Sequence, residues 1–200
     1  MAKEHAAHHF GELHRAGLYR LFYVLQTILL LSLFYAYVRR LPDRQLYRLR
    51  GPIVPLIYAG QAANLLFGLL AVRQIGWLRG LGLVSAGAWL RREMPSPEPE
   101  AQGPRLGADG TMLNVGPFAW CRHPINFVGV PFFWLTTSMS VNRLAFNITV
   151  TLYLVLGSMH EEARLRAAYG PAYTAYQNSG VPFFVPRPPW RFASVLSAEC

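Results

Sequence analysis

The chain has 200 residues, of which 52% are hydrophobic and only 14% charged, with a formal net charge of +9. A soluble domain carries about 25% charged residues, and here the apolar residues gather in runs of transmembrane length, which argues against a soluble domain and for an integral membrane protein. The basic excess does not point to nucleic acid, because the arginines sit between apolar runs, where they suit anionic lipid headgroups. Cys121 and Cys200 give neither a disulfide framework nor a metal-ligand spacing.

Residues 1–17 are polar and read as a short surface helix or a frayed tail, not a cleavable leader, since Glu4, Glu12 and four histidines precede any apolar run. His5 and His9 are spaced to share a helix face, but no acidic or cysteine ligand joins them, so a solvated tail is favoured over a metal site. Leu18–Val38 is the first expected membrane helix, with aromatic residues towards its ends. A basic loop follows, from Arg39 through Arg50. Pro52–Val72 is the second span, with Gln61 and Asn64 on one face turned towards other helices. Ile75–Leu90, rich in glycine, is read as a third span packed through its small residues. Residues 91–115 form an aqueous loop, extended around Pro95, Pro97 and Pro99.

The segment Gly116-Pro117-Phe118-Ala119-Trp120-Cys121-Arg122-His123-Pro124 is a polar knot between apolar runs. Ile125–Ser140, interrupted by Pro131, is the fourth expected span. After a turn at Val141-Asn142-Arg143, Leu144–Met159 is the fifth. The glycosylation pattern Asn147-Ile148-Thr149 falls inside that span and is discounted. Residues 160–178 form an amphipathic helical stretch broken at Gly170-Pro171. The apolar segment Val181–Pro186 is too short to span, and either lies along the membrane face or folds over a site. The expected fold is thus all-α: one membrane domain, residues 1–200, with about five transmembrane helices and short C-terminal helices. It divides into a tail (1–17), three membrane helices (18–90), a loop (91–115), a catalytic and cofactor-binding region (116–187) and a second tail (188–200). Five spans put six of the nineteen cations, Arg143 among them, on the side of the N-terminal tail. The other thirteen, including the 39–50 loop, mark a cytoplasmic side that carries residues 91–124 and the C-terminal region.

Charge close to a bilayer is costly and usually kept for function. Glu161 and Glu162 immediately follow the fifth apolar run. Adjacent helical residues point about 100° apart, so one glutamate is able to face a site while the other pairs with an arginine such as Arg166, four residues beyond Glu162. Taken alone, the pair also reads as a solvated helix start, and Arg122-His123-Pro124 as an interfacial cation, a boundary histidine and a helix-opening proline. Tyr169, Tyr173 and Tyr176 recur at helical spacing, a stripe more typical of packing than of ligand binding.

Taken in order, Gly116-Pro117-Phe118, Arg122-His123-Pro124, Glu161-Glu162, Leu165, Tyr169-Gly170, Tyr173, Tyr176 and Pro182–Pro186 resemble the isoprenylcysteine carboxyl methyltransferase family and related phospholipid methyltransferases. The resemblance covers about residues 110–187. It implies an integral membrane methyltransferase that uses S-adenosylmethionine, with His123, Glu161 and Glu162 as catalytic residues. It also implies a cofactor site drawn from Arg122, His123, Pro124, Asn126, Phe127, Glu161, Glu162 and Tyr173, and no metal. The acceptor would be a membrane lipid or small hydrophobic molecule offering a carboxylate, amine or thiol, with His160 a weak candidate base. The chain departs from the family pattern at Asn126-Phe127, where the family has tyrosine two residues after the proline, at Gly129, and before Glu161, where an arginine is absent. A sterol-reductase-like oxidoreductase using NADPH and a non-catalytic membrane protein on the same scaffold are the competing readings. Nucleic acid is not an expected partner.

Overall fold

The computed structural model describes residues 2–94 and 103–187, with side chains from residue 18 onward. The His-rich side chains before residue 18, the prolines at 95–99 and the tail 188–200 lie outside the described residues.

Helix α1 (Ala2–Val38) runs unbroken through the first apolar run and ends just before Pro42. Helix α2 (Ile53–Ile75) begins after Pro52 and ends at Gly76, whose φ of 90° stops the helix while its N–H still bonds Val72 O at 2.9 Å. Leu18–Val38 of α1 and all of α2 are long and apolar enough to cross a membrane. Their outward faces are bare hydrocarbon: Phe22, Leu29, Leu56 and Leu69 are all more than half exposed. Apolar surface on this scale suits lipid rather than water.

The third apolar run departs from expectation. It forms two short helices, α3 (Trp77–Gly80) and α4 (Leu83–Leu90), of 4 and 8 residues. At about 1.5 Å per residue neither approaches the roughly 30 Å of a bilayer core. Gly82 separates them at φ 80°, and a methyl group there would lie 2.6 Å from the Leu21 backbone nitrogen, so the turn is pressed directly onto α1. Helix α5 (Pro117–Trp120) is a single turn, and α6 (Pro124–Trp134) has 11 residues. Helix α7 (Val141–Tyr169) is capped by Ser140, and α8 (Pro171–Asn178) opens on the expected proline.

Side-chain amides hold these pieces together, as the polar face of α2 suggests. Asn64 donates to Val128 O at 2.9 Å, Gln61 to Leu135 O, and Asn147 of α7 to Phe133 O at 2.9 Å. Phe133 O and Leu135 O lie at the C-terminal end of α6, where helix carbonyls lack intrahelical partners. Asn147 is 1% exposed, consistent with discounting it as a glycosylation site.

The fold is mostly helical with one addition to the all-α expectation. Strands β1 (Gln45–Arg48) and β2 (Ser138–Ser140) pair antiparallel, with Gln45 opposite Ser140 and Arg48 opposite Ser138. This pairing overturns the expected arrangement of loops. It puts residues 39–51 and 138–143 at one end of the bundle, where Asn142 Nδ2 donates to Val38 O and Leu41 O, each at 3.0 Å. At the other end, Arg20 Nε donates to Gly80 O at 3.0 Å and Arg105 Nη2 to Ile75 O at 2.9 Å. The count of about five spans is not confirmed: Leu18–Val38 and Ile53–Ile75 are long and apolar enough to cross, whereas the third run folds into two short helices and the fourth into the 11-residue α6. The expected sides of the loops do not hold, because the strand pairing puts Arg39, Arg40, Arg44, Arg48 and Arg50 at the same end as Arg143. His123 and the two glutamates still meet at one end, shown by their direct contacts. From Asn142 to Glu161, α7 rises roughly 28 Å, close to a bilayer core.

Candidate active site

The polar knot is folded by its punctuation. Gly116 adopts φ 53°, and a side chain there would collide with Gln74. Pro117 starts α5, Cys121 is extended, and Pro124 opens α6 with His123 at its N-cap. This path buries His123 and turns Arg122 towards α7 and α8.

Arg122 is held from several directions. Its Nε donates to Glu162 Oε1, its Nη1 to Val181 O at 2.8 Å, and its backbone N–H to Pro182 O at 2.9 Å. Gln177 Nε2 donates to the other Glu162 oxygen at 2.9 Å. The Val181–Pro186 segment therefore folds over the knot, which decides between its two expected courses. The Phe183 ring lies 5.2 Å from the His123 ring and 5.8 Å from the Arg122 guanidinium carbon.

His123, with a side chain 1% exposed, bridges the two glutamates: Nδ1 lies 3.4 Å from Glu161 Oε2 and Nε2 3.4 Å from Glu162 Oε1. That Nε2 distance is too long for a good hydrogen bond, and the atom is buried without a hydrogen-bond partner. Burial alone would lower the imidazole pKa, but the two carboxylates outweigh it and raise it above its usual value. Burial alone would raise Glu162, but His123 and Arg122 outweigh it and bring it down to about 2. Arg122 and His123 thus face Glu161 and Glu162.

The glutamates diverge as adjacent helical residues do. Glu162 turns inward, and its arginine partner is Arg122 across the fold instead of the expected Arg166. Glu161 accepts from Asn126 Nδ2 at 3.2 Å, and the same amide donates to Ser158 Oγ at 2.9 Å. Glu161 and Asn126 border two cavities, of about 300 and 70 Å³, and Arg20 borders both as well. The larger one also takes in Tyr23, Tyr153, His160 and Arg164, and the smaller one Arg122, His123 and Pro124.

Of the residues expected at the site, Phe127, Glu162 and Tyr173 border neither cavity. Phe127 packs edge-on against Phe184 at 5.9 Å. Tyr173 is fully buried in a cluster with Met112, Leu165, Tyr176 and Val181, and burial raises its hydroxyl above the usual tyrosine range. The tyrosine stripe is packing, with Tyr176 Oη donating to Phe118 O at 2.6 Å. The residues not anticipated are Arg20, Tyr23, Tyr153 and Arg164 around the cavity, Ser158 and Gln177 behind the glutamates, and Phe183. Two of these carried a sequence signal: Arg20, as the lone charge at the edge of the first span, and Phe183, within the Val181–Pro186 segment.

With this geometry in view, likeness to known proteins becomes informative. Part of the chain is similar to methanethiol S-methyltransferases. It is 31% identical over 80 residues to the enzyme of that name from Pseudomonas deceptionensis, covering 40% of this chain and 30% of that protein. It is 38% identical over 60 residues to the one from Mycobacterium tuberculosis, covering 30% and 25%. It is 35% identical over 66 residues to methanethiol S-methyltransferase 2 of Bradyrhizobium diazoefficiens, covering 33% and 25%. The matched stretches span less than a third of the length of these curated relatives. No protein-family model matches the chain, and no solved structure matches it.

Proposed function

We propose that this protein is an integral membrane methyltransferase that uses S-adenosylmethionine to methylate a small apolar thiol of the methanethiol class. The observation that carries the reading is Glu161, oriented by Asn126 on the wall of a cavity at the polar end of the bundle, in a chain similar to three methanethiol S-methyltransferases. The donor set fits the cofactor. Glu161 offers a carboxylate, 19% exposed, suited to paired hydroxyls or a cationic sulfonium, and the buried His123 Nε2 has no hydrogen-bond partner. The rings of Tyr23 and Tyr153 supply faces attractive to a cation, and Arg20 and Arg164 supply positive charge for a carboxylate.

Glu161, Asn126, His123 and Pro124 would hold the cofactor directly. Arg122, Glu162 and Gln177 would brace them from behind, and Phe127 and Tyr173 would pack the supporting wall. When bound, S-adenosylmethionine supplies a methyl group already activated on a sulfonium, so no covalent enzyme intermediate is needed. The residues of the chain then act mainly by alignment and exclusion of water. A thiol is a far better nucleophile as its thiolate, so its proton must leave. His160, exposed and bordering the larger cavity, takes that proton in this reading. Tyr23 and Tyr153, whose hydroxyls lie 3.4 Å apart, join α1 to α7 beside the cavity. The site end faces the cytoplasm in this reading, because the cofactor is charged, water-soluble and made there.

Calorimetry of the detergent-purified protein with S-adenosylhomocysteine and with NADPH tests the cofactor. Headspace chromatography for dimethyl sulfide, after incubation with methanethiol and S-adenosylmethionine, tests the acceptor. Saturable binding of S-adenosylhomocysteine alone, with dimethyl sulfide released, is expected. No binding at millimolar concentration would overturn the methyltransferase reading, and binding without dimethyl sulfide would overturn the acceptor.

A further inference from the structure

The end of the bundle opposite Glu161 carries a second pair of neighbouring cavities. One, of about 450 Å³, is bordered by polar groups including Arg39, Asp43, Ser138, Ser140 and Asn142. The other, of about 460 Å³, is bordered mainly by apolar groups including Leu31, Phe132 and Phe133. Tyr35, Arg143 and Phe146 border both.

The change from polar to apolar follows the axis of the bundle. Along α1 the bordering residues run Arg39, Val38, Tyr35, Ser32, Leu31, a rise of roughly 12 Å from the polar end inward. Along α7 they run Asn142, Arg143, Phe146, Asn147. A charged compartment at the helix ends, opening inward onto a hydrocarbon one, has the polarity profile of a phospholipid lying at its natural depth.

The charge selects an anion. Arg39 and Arg143 face the polar cavity with a single carboxylate, Asp43, which already accepts from the backbone N–H groups of Arg44 at 2.9 Å and Asn142 at 3.0 Å. Arg143 Nη1 is fixed by Thr136 Oγ1 at 2.9 Å and Ser138 O at 2.8 Å, and the Arg39 guanidinium lies 5.7 Å from the Tyr35 ring centre. Arg40, Arg44, Arg48 and Arg50 are exposed in the adjoining segment and add to the positive field.

We propose that this end binds an anionic glycerophospholipid, with its phosphate between Arg39 and Arg143 and an acyl chain in the cavity bordered by Leu31, Phe132 and Phe133. The site is separate from Glu161 and does not depend on the proposed methyl transfer.

Native mass spectrometry of the delipidated full-length protein in detergent tests it, with dioleoylphosphatidylglycerol, dioleoylphosphatidylcholine and inorganic phosphate as probes. One phosphatidylglycerol should be retained in preference to phosphatidylcholine, and Arg39→Gln should lower its occupancy roughly five-fold, as expected for one arginine near a lipid surface. Ser32→Trp, which puts bulk into the apolar cavity, should lower retention of both lipids. Both substitutions are at exposed positions, so folding is preserved. Equal retention of the two lipids, or unchanged phosphatidylglycerol binding in both variants, would overturn the proposal. Displacement of the lipid by equimolar inorganic phosphate would also overturn it, identifying a free-anion site instead.

Discussion

The Asn126 amide donates to Glu161 Oε2 at 3.2 Å and to Ser158 Oγ at 2.9 Å, tying the first turn of α6 to α7 where both border the larger cavity. Asn126 stands where the resembled family has tyrosine. This departure from the family pattern is the contact that orients the more exposed of the two glutamates.

Asn126→Asp should therefore weaken cofactor binding. It replaces the donor with a second carboxylate about 3 Å from Glu161, and like charges that close cannot both stay ionised cheaply. Affinity for S-adenosylhomocysteine at neutral pH should fall about ten-fold or more, equivalent to at least ~1.4 kcal/mol. Calorimetry beside Asn126→Leu separates lost orientation from added repulsion, with the aspartate expected to be the worse. Wild-type affinity in Asn126→Asp would remove Glu161 from the cofactor site.

Arg122→Met is expected to cost stability instead of acting only on chemistry. The Arg122 and Glu162 side chains are 14% and 12% exposed, so removing the cation strands a nearly buried carboxylate. Breaking one partner of such a pair costs roughly 3 kcal/mol or more, whereas replacing both with apolar groups costs much less. Thermal unfolding in detergent should show Arg122→Met well below wild type, and Arg122→Met with Glu162→Met partly recovered. A double variant less stable than the single would show that Glu162 draws its support mainly from Gln177 and His123.

The two long apolar helices were legible because each is a continuous apolar run with a clear stop, Pro42 beyond the first and the charged Arg73 closing the second. The third run was not legible. Composition does not distinguish glycines that pack helices together from glycines that end them, and the left-handed backbone of Gly76 and Gly82 is invisible in a hydropathy profile. That one misreading reversed the side assigned to the 39–50 loop relative to the site. The joining of His123 to Glu161 and Glu162 survived it, because carboxylates are scarce in the C-terminal half and leave the knot few alternative partners. Arg20 and Gln177 were missed for the opposite reason. Each has an ordinary role on its own element, and only the fold brings it to the site.

The same cluster predicts how stability depends on pH. Glu162 is lowered to about 2 in the folded protein, so its contribution is present above the ordinary glutamate pKa of 4.5 and is lost as pH falls towards 2. His123 is raised, so its contribution is fully present below pH 6.5 and is lost as pH rises through the elevated value. Both contributions are intact between those two ordinary values, and melting temperature in detergent should peak there. His123→Gln should flatten the alkaline side of the profile and leave the acid side sloping. An unchanged alkaline slope would show that His123 is not the group being titrated.

Gly82→Ala tests how tightly the α3–α4 turn is pressed onto α1. At φ 80° an alanine is strained whatever the space, and its methyl group would sit 2.6 Å from the Leu21 backbone nitrogen, which has no rotamer by which to move aside. Relief requires the turn to lift, and lifting pulls Gly80 O away from Arg20 Nε, now at 3.0 Å. Arg20 borders both cavities at the candidate site, so the damage should not stop at stability. The strain alone is of order 1–3 kcal/mol, and a lower melting temperature should be accompanied by weaker binding of S-adenosylhomocysteine. Gly80→Ala is the control, since a methyl group there meets nothing within 4 Å. If Gly82→Ala melts and binds like Gly80→Ala, α1 is not fixed by this turn, and Arg20 is held at the cavities by other contacts.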